Sequence, residues 1–147
     1  MLKEVNLLQR SLYYREILEF YESDMSELKA FVLYARAYPT KFLALIDTFS
    51  TLKSGLLNFI CVALTLIELD YQPVGVRLDS GDLVQLSIEI REKFEEIGKK
   101  FEKVPQFSKL KIVASNDINE EFLRKIQNYN HEIDIFGIGT HLVTCQS

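Results

Sequence analysis

Four short apolar stretches of strand length recur along this chain, and each stops abruptly at polar residues: Phe42–Ile46, Val74–Leu78, Leu110–Ala114 and Ile133–Ile138. Helical patterns separate them. Apolar strands alternating with helices predict a parallel sheet covered on both faces, with the order βαβαβαβ after two leading helices. In such a sheet every strand's carboxyl end lies on one edge, where open sheets and α/β barrels hold their ligands. The four exits read Asp47-Thr48, Arg77-Leu78-Asp79-Ser80-Gly81-Asp82, Ser115-Asn116-Asp117 and Gly137-Ile138-Gly139-Thr140. One polar exit is a turn; four converging on one rim predict a site.

The second exit is the richest. Within Pro73–Leu83 a cation (Arg77), carboxylates (Asp79, Asp82), a hydroxyl (Ser80) and a flexible Gly81 follow one another. Such a set suits a sugar phosphate or a small anion. The plainer alternative is a strand-to-helix turn in which Asp79 or Ser80 caps the helix and Arg77 makes a surface ion pair. At the fourth exit, Gly137 and Gly139 would let backbone N–H groups approach a phosphate, with the Thr140 hydroxyl beside them. Glycines at strand ends also serve simple turns.

The helices are read from periodicity. Glu4–Tyr21 and Glu27–Tyr38 have helical spacing, the second capped by Asp24 or Ser26 and ended by Pro39. Gly55–Glu68 is apolar almost all round and so is predicted to pack on more than one side. Asp82–Lys103 carries one stripe, Leu83, Leu86, Ile90, Phe94, Ile97 and Phe101. Its Glu89/Lys93, Glu95/Lys99 and Glu96/Lys100 pairs mark a solvated face, and Gly98 counts as a weak spot of about 1 kcal/mol. Asp117 and Glu120 have capping-box spacing ahead of a helix over 119–127. The seven residues from His141 on are too few for another helix.

Length and composition fit one domain spanning 1–147, with residues 1–40 as a helical lead-in and 41–147 as four β/α units. The 147 residues are 48% hydrophobic, enough for a core. A net charge of −4 gives no basic footprint, so nucleic acid is not an expected partner. Cys61 and Cys145 make no disulfide framework, which fits a reducing, cytoplasmic setting. Met1–Arg10 does not read as a signal peptide, and Leu56–Leu69 is too short and mixed to span a bilayer. A soluble chain without a membrane partner is expected.

Several segments resemble, in order, the motifs of the nicotinate phosphoribosyltransferase family. They are Leu-Ile-Asp-Thr-Phe-Ser-Thr-Leu-Lys-Ser-Gly (45–55), Gly-Val-Arg-Leu-Asp-Ser-Gly-Asp-Leu (75–83), Val-Ala-Ser-Asn-Asp-Ile-Asn-Glu-Glu (113–121) and Ile-Phe-Gly-Ile-Gly-Thr-His-Leu-Val-Thr-Cys (135–145). The likeness runs from about Glu27 to Cys145. It implies about half of an irregular TIM-like barrel that belongs beside a second domain. It also implies an enzyme of NAD salvage: nicotinate and phosphoribosyl pyrophosphate give nicotinate mononucleotide, with ATP, Mg²⁺ and a homodimer. By resemblance Arg77 faces nicotinate and ribose, Asp79 holds ribose hydroxyls, and Ser80 and Gly81 shape that loop. Ser115 and Asn116 approach the ribose phosphate, and Gly137, Gly139 and Thr140 cradle it. Asp47 sits behind a histidine that the family phosphorylates from ATP.

That histidine is the main departure. The family's Thr-x-x-His-Ser segment is not found here, and His131 and His141 do not match it. Leu57 also stands where the family pattern has proline. The resemblance therefore implies a partial barrel with apolar strand edges, inactive by itself and prone to associate. The alternative to an enzyme segment is a non-catalytic fragment that binds ribose phosphate or pairs with full-length subunits.

Overall fold

In a computed structural model, residues 4–115, 124, 126, 130–138 and 141–144 are described. The chain forms two compact units, Met1–Val74 and Gly75–Ser147.

The first unit contains α1 (Glu4–Ile17), α2 (Met25–Ala37), β1 (Leu43–Leu45), a single π-helical turn (Thr51–Gly55) and α3 (Leu56–Glu68). Asp24, one of the two anticipated caps, ends the approach to α2: its carboxylate accepts from Glu27 N at 2.9 Å. Helix α3 packs against both α1 and α2, as its all-round apolarity requires. Phe42 stacks on Phe59 with centroids 5.4 Å apart, and both rings are fully buried. Burial of each such side chain contributes roughly 1.5–3 kcal/mol. Where α3 carries a hydroxyl inward, α1 answers it: Thr65 Oγ1 meets Ser11 Oγ at 3.3 Å. The π turn and α3 together give 18 residues of mean hydropathy 1.4, but 72% of that stretch is buried inside the protein. It is a core helix.

Helix α1 stops at Ile17, four residues before the sequence-based boundary. Glu19 turns left-handed (φ 58°), and Phe20 N bonds back to Arg15 O at 2.9 Å. This closes a Schellman motif, which ends the helix despite the apolar residues beyond it. Asp70 (φ 65°) ends α3 in the same way, with Tyr71 N on Leu66 O at 2.9 Å. At the last residue of α3, Glu68 puts a carboxylate at the unfavourable end of the helix dipole. Arg10 of α1 offsets this through Nε to Glu68 Oε2 at 3.0 Å. The Tyr14 hydroxyl also bonds Glu68; burial, reinforced by that carboxylate, pushes its pKa up to about 12.

The second unit contains β2 (Gly75–Leu78), α4 (Leu83–Lys100), α5 (Val104–Ser108), β3 (Lys111–Ala114), β4 (Ile135–Ile138) and β5 (His141–Thr144). Strands β2 and β3 are parallel, with Leu78 opposite Ala114. Strands β3 and β4 are parallel, with Ala114 opposite Phe136. The parallel α/β arrangement anticipated from the sequence is therefore present. It ends differently, however: β5 turns back antiparallel on β4, pairing Ile138 with His141 and Ile135 with Thr144. The residues set aside as too short for a helix form a strand, and β4 is paired on both sides, so it is not an open edge.

Helix α4 begins at Leu83 because Asp82 caps it, accepting from Gln85 N at 3.1 Å. The cap is Asp82, not Asp79 or Ser80. The apolar stripe is buried at Leu83, Ile90, Phe94 and Ile97. Gly98 is more than a weak spot: a Cβ there would sit 3.2 Å from Phe107 Cβ and 3.3 Å from Val104 Cα. Glycine lets α5 lie close against α4. Pro105 reads in the sequence as the end of the Asp82–Lys103 helix; it lies instead in the first turn of α5, where proline is well tolerated. The anticipated helix over 119–127, with its Asp117–Glu120 cap, falls largely outside the described residues; Arg124 and Ile126 are helical.

Candidate functional site

The exits of β2, β3 and β4 leave the same edge of the second unit's sheet, because the three strands are parallel and nearly in register. Ser115 N extends the ladder past the strand end, donating to Leu78 O at 3.0 Å. That bond places Ser115 beside Asp79, and Ser115 Oγ donates to Asp79 Oδ1. The other carboxylate oxygen, Oδ2, lies 3.5 Å from Arg77 NH2. Gly137 stands behind Ser115: a Cβ at 137 would be 3.3 Å from Ser115 Cβ. Arg77, Asp79, Ser115 and Gly137, drawn from three strands, thus form one contiguous group.

Its exposure matters. The Arg77 and Asp79 side chains are 44% and 39% exposed, so their mutual attraction contributes only about 0–1 kcal/mol to stability. The surface ion pair considered for Arg77 is present. What it leaves is a cation and a carboxylate held side by side at the surface, with a hydroxyl already donating to the carboxylate. Such a group can accept from ribose hydroxyls and donate to an anion.

The loop from Asp79 to Asp82 is shaped by Gly81, whose φ of +83° lies in the left-handed region that L side chains rarely adopt. Ser80 and Gly81 are exposed within it. Gly137 has a different reason to be glycine, the close approach of Ser115, so the two residues are not interchangeable.

Asp47 belongs to the first unit, at the exit of β1, and is half-buried. The turn after it is fixed by Gly55, where a Cβ would fall 1.9 Å from Ile46 O. No larger residue fits without displacing the strand end that presents Asp47. Asn116, Gly139 and Thr140 lie outside the described residues. His131 precedes β4, on the amino side of the strands. Its Nδ1 accepts from Ile133 N at 3.1 Å, and its ring meets Phe136 edge-on at 5.9 Å. It is a loop residue. His141 begins β5.

The opposite edge of the second unit shows what periodicity alone did not. Arg91, on the helix face read as solvated, is only 14% exposed and reaches Asp134 Oδ2 at 2.6 Å and Leu110 O at 2.8 Å. Asp134 Oδ2 also accepts from Ile112 N at 2.8 Å, so a side chain replaces a strand partner at the start of β4. Ser87 Oγ accepts from Glu132 N at 3.0 Å. A cleft of about 340 Å³ lies here, lined by Arg91, Phe94, Lys99, Phe107 and Asp134 among others. In a parallel α/β sheet this amino edge serves stability, not ligand chemistry. Among the described residues, no group of three or more His, Cys, Asp or Glu side chains could hold a metal ion.

A parallel α/β unit with a cation, a carboxylate and a hydroxyl gathered at its strand exits defines the class: a sheet of the ligand-holding α/β type. The comparisons define the family. A sequence model of the nicotinate phosphoribosyltransferase (NAPRTase) family matches residues 62–146. Nicotinate phosphoribosyltransferase of Dictyostelium discoideum is 53% identical over 142 residues, covering 97% of this chain and 24% of that protein. Nicotinate phosphoribosyltransferase 1 of Arabidopsis thaliana is 54% identical over 126 residues, 86% of this chain and 22% of that protein. The crystal structure of human nicotinic acid phosphoribosyltransferase superposes with a TM-score of 0.83 at 40% identity, covering 93% of this chain and 28% of that one. The chain belongs to the nicotinate phosphoribosyltransferase family, and it spans about a quarter of the length of the relatives it matches.

Proposed function

We propose that this chain carries the ribose-phosphate rim of a nicotinate phosphoribosyltransferase, the enzyme that joins nicotinate to phosphoribosyl pyrophosphate and yields nicotinate mononucleotide and pyrophosphate. One observation carries the reading: Arg77, Asp79, Ser115 and Gly137, from three parallel strands, are contiguous at the carboxyl edge. Breaking the bond at ribose C1 develops positive charge on the sugar and negative charge on the leaving pyrophosphate. The protein therefore has to position and neutralise rather than attack. Asp79, already bonded to Ser115, accepts from ribose hydroxyls. Arg77 offers a planar fork to a carboxylate such as that of nicotinate. Asn116, Gly139 and Thr140 take the 5-phosphate together with Ser115, whose single hydroxyl hydrogen turns from Asp79 to the phosphate, and Gly137 keeps that floor free of side chains. Asp47 positions a histidine supplied by another part of the enzyme.

ATP, Mg²⁺, a homodimer and a cytoplasmic setting belong to the same proposal. Among the described residues there is no group of three or more His, Cys, Asp or Glu side chains, so Mg²⁺ would be held there mainly through the substrate's phosphates.

The test is calorimetric titration of the 147-residue chain with phosphoribosyl pyrophosphate, alongside its Arg77→Ala and Asp79→Asn variants and an assay for nicotinate mononucleotide. Binding that falls at least tenfold in both variants, without turnover, supports the proposal. Turnover by purified monomer overturns the expectation of inactivity. Absence of binding at millimolar ligand favours the second reading, a non-catalytic chain that acts only by pairing with full-length subunits. The sequence feature behind that reading is that His131 and His141 do not match the family's phosphorylated histidine.

A further inference from the structure

A buried polar cluster in the first unit takes no part in the proposed chemistry, and its hydrogen bonds do not balance. Glu27, in the first turn of α2, is only 5% exposed. Its Oε1 accepts from Ser54 Oγ at 2.7 Å and from Asn58 Nδ2 at 3.0 Å. Ser54 is satisfied in turn, since its oxygen accepts from Asp24 N at 2.9 Å. The Asn58 amide cannot be turned over, because Nδ2 uses its second hydrogen on Asp24 O at 2.9 Å. Two acceptors then remain without a donor among the described residues, Glu27 Oε2 and Asn58 Oδ1, and both are buried. A buried acceptor left without a donor is destabilising, because it has given up water and gained nothing in return.

One hydrogen removes both deficits. An amide facing a carboxylate can make a single N–H to oxygen bond; an amide facing a carboxylic acid can make two, closing a ring. We propose that Glu27 is held as the neutral acid in the folded protein, its Oε2–H donating to Asn58 Oδ1 while Asn58 Nδ2 donates to Oε1. The pair ties the start of α2 to α3 and, through Ser54, to the π turn that follows Asp47.

The surroundings favour this state. The charged group facing Glu27 is Asp24, a carboxylate one turn earlier, and from the π turn and α3 only the uncharged Ser54 and Asn58 reach it. Lys53 of the turn and Lys29 of α2 are exposed. Arg15 of α1 is engaged by Ser23 and by the carbonyl of Tyr21. Burial is the main influence and raises the Glu27 pKa above its usual value; the hydrogen bonds from Ser54 and Asn58 oppose it, Asp24 adds to it, and the net direction is upward.

The linkage has a definite sign. A carboxyl whose folded pKa is raised keeps a proton that the unfolded chain has lost, so stability falls as pH rises from the unfolded pKa, about 4.3, to the folded one. Within that window the folding equilibrium constant drops about tenfold per pH unit. Two measurements on the full chain test this: the ¹³C titration of Glu27 Cδ in the unmodified protein, and urea unfolding of wild type and Glu27→Gln from pH 4 to 8. Expected are a Cδ midpoint clearly above 4.3 and a stability gap that moves in favour of Glu27→Gln as pH rises. A Cδ midpoint at or below 4.3 overturns the proposal, and so do parallel pH profiles. If Glu27→Gln does not fold, the Cδ titration decides alone. Neither readout involves ribose phosphate, so either proposal can fail without the other.

Discussion

Helix α3 buries eleven of its thirteen residues, whereas α4 buries six of eighteen. The first has no polar face to spend on water; the second has a stripe inward and charges outward. The difference decides how each tolerates change. In α3 nearly every position is packed, so polar residues such as Asn58 and Thr65 need dedicated partners, and the unit supplies them from α1 and α2. In α4 the outward residues face water, except where one has been recruited inward, as Arg91 has.

The contrast can be broken or sharpened by substitution, with urea unfolding as the measure. The largest effect is expected at Phe59→Ala in α3, where a fully buried stacked ring is lost; the cost is about 3–5 kcal/mol. Next is Arg91→Met in α4. It leaves the half-buried Asp134 carboxylate with only the Ile112 amide, at a cost of about 1.5–3 kcal/mol. A loss under ~0.5 kcal/mol would return Arg91 to the solvated face. Gly98→Ala sets propensity against packing: a gain of about 1 kcal/mol from helix propensity alone, against a loss of about 1–2 kcal/mol if the contact with α5 governs. The close approach to Phe107 and Val104 predicts the loss. Smallest is Glu102→Gly. Glu102 ends α4 with φ 56°, and relief of the left-handed strain should raise stability by up to about 1 kcal/mol.

These same elements show what could be read from the chain beforehand. The α4 stripe was legible because period 3.6 is sampled five times over its length, and the exits of β2 and β3 were legible because strand and helix patterns bracket them. The contiguity of Arg77, Asp79 and Ser115 then followed from parallel topology alone. What escaped was short or tertiary. Strand β5 has four residues, too few for a period of two to stand out. The five-residue α5 hid behind Pro105. The inward turn of Arg91 and the reason for Gly98 depend on the neighbours they meet, which no local pattern records. Asp82 was within reach: it immediately precedes the first apolar helical residue, which is where a cap belongs.

The pairing of β4 on both flanks also has a consequence for biosynthesis. Its first neighbour, β3, leaves the ribosome some twenty residues ahead of it, but its second is made of His141–Thr144. The ladder between them cannot zip until those residues emerge. Until then the nascent sheet shows a bare flank, and that interval is when a chaperone or a second copy has something to hold.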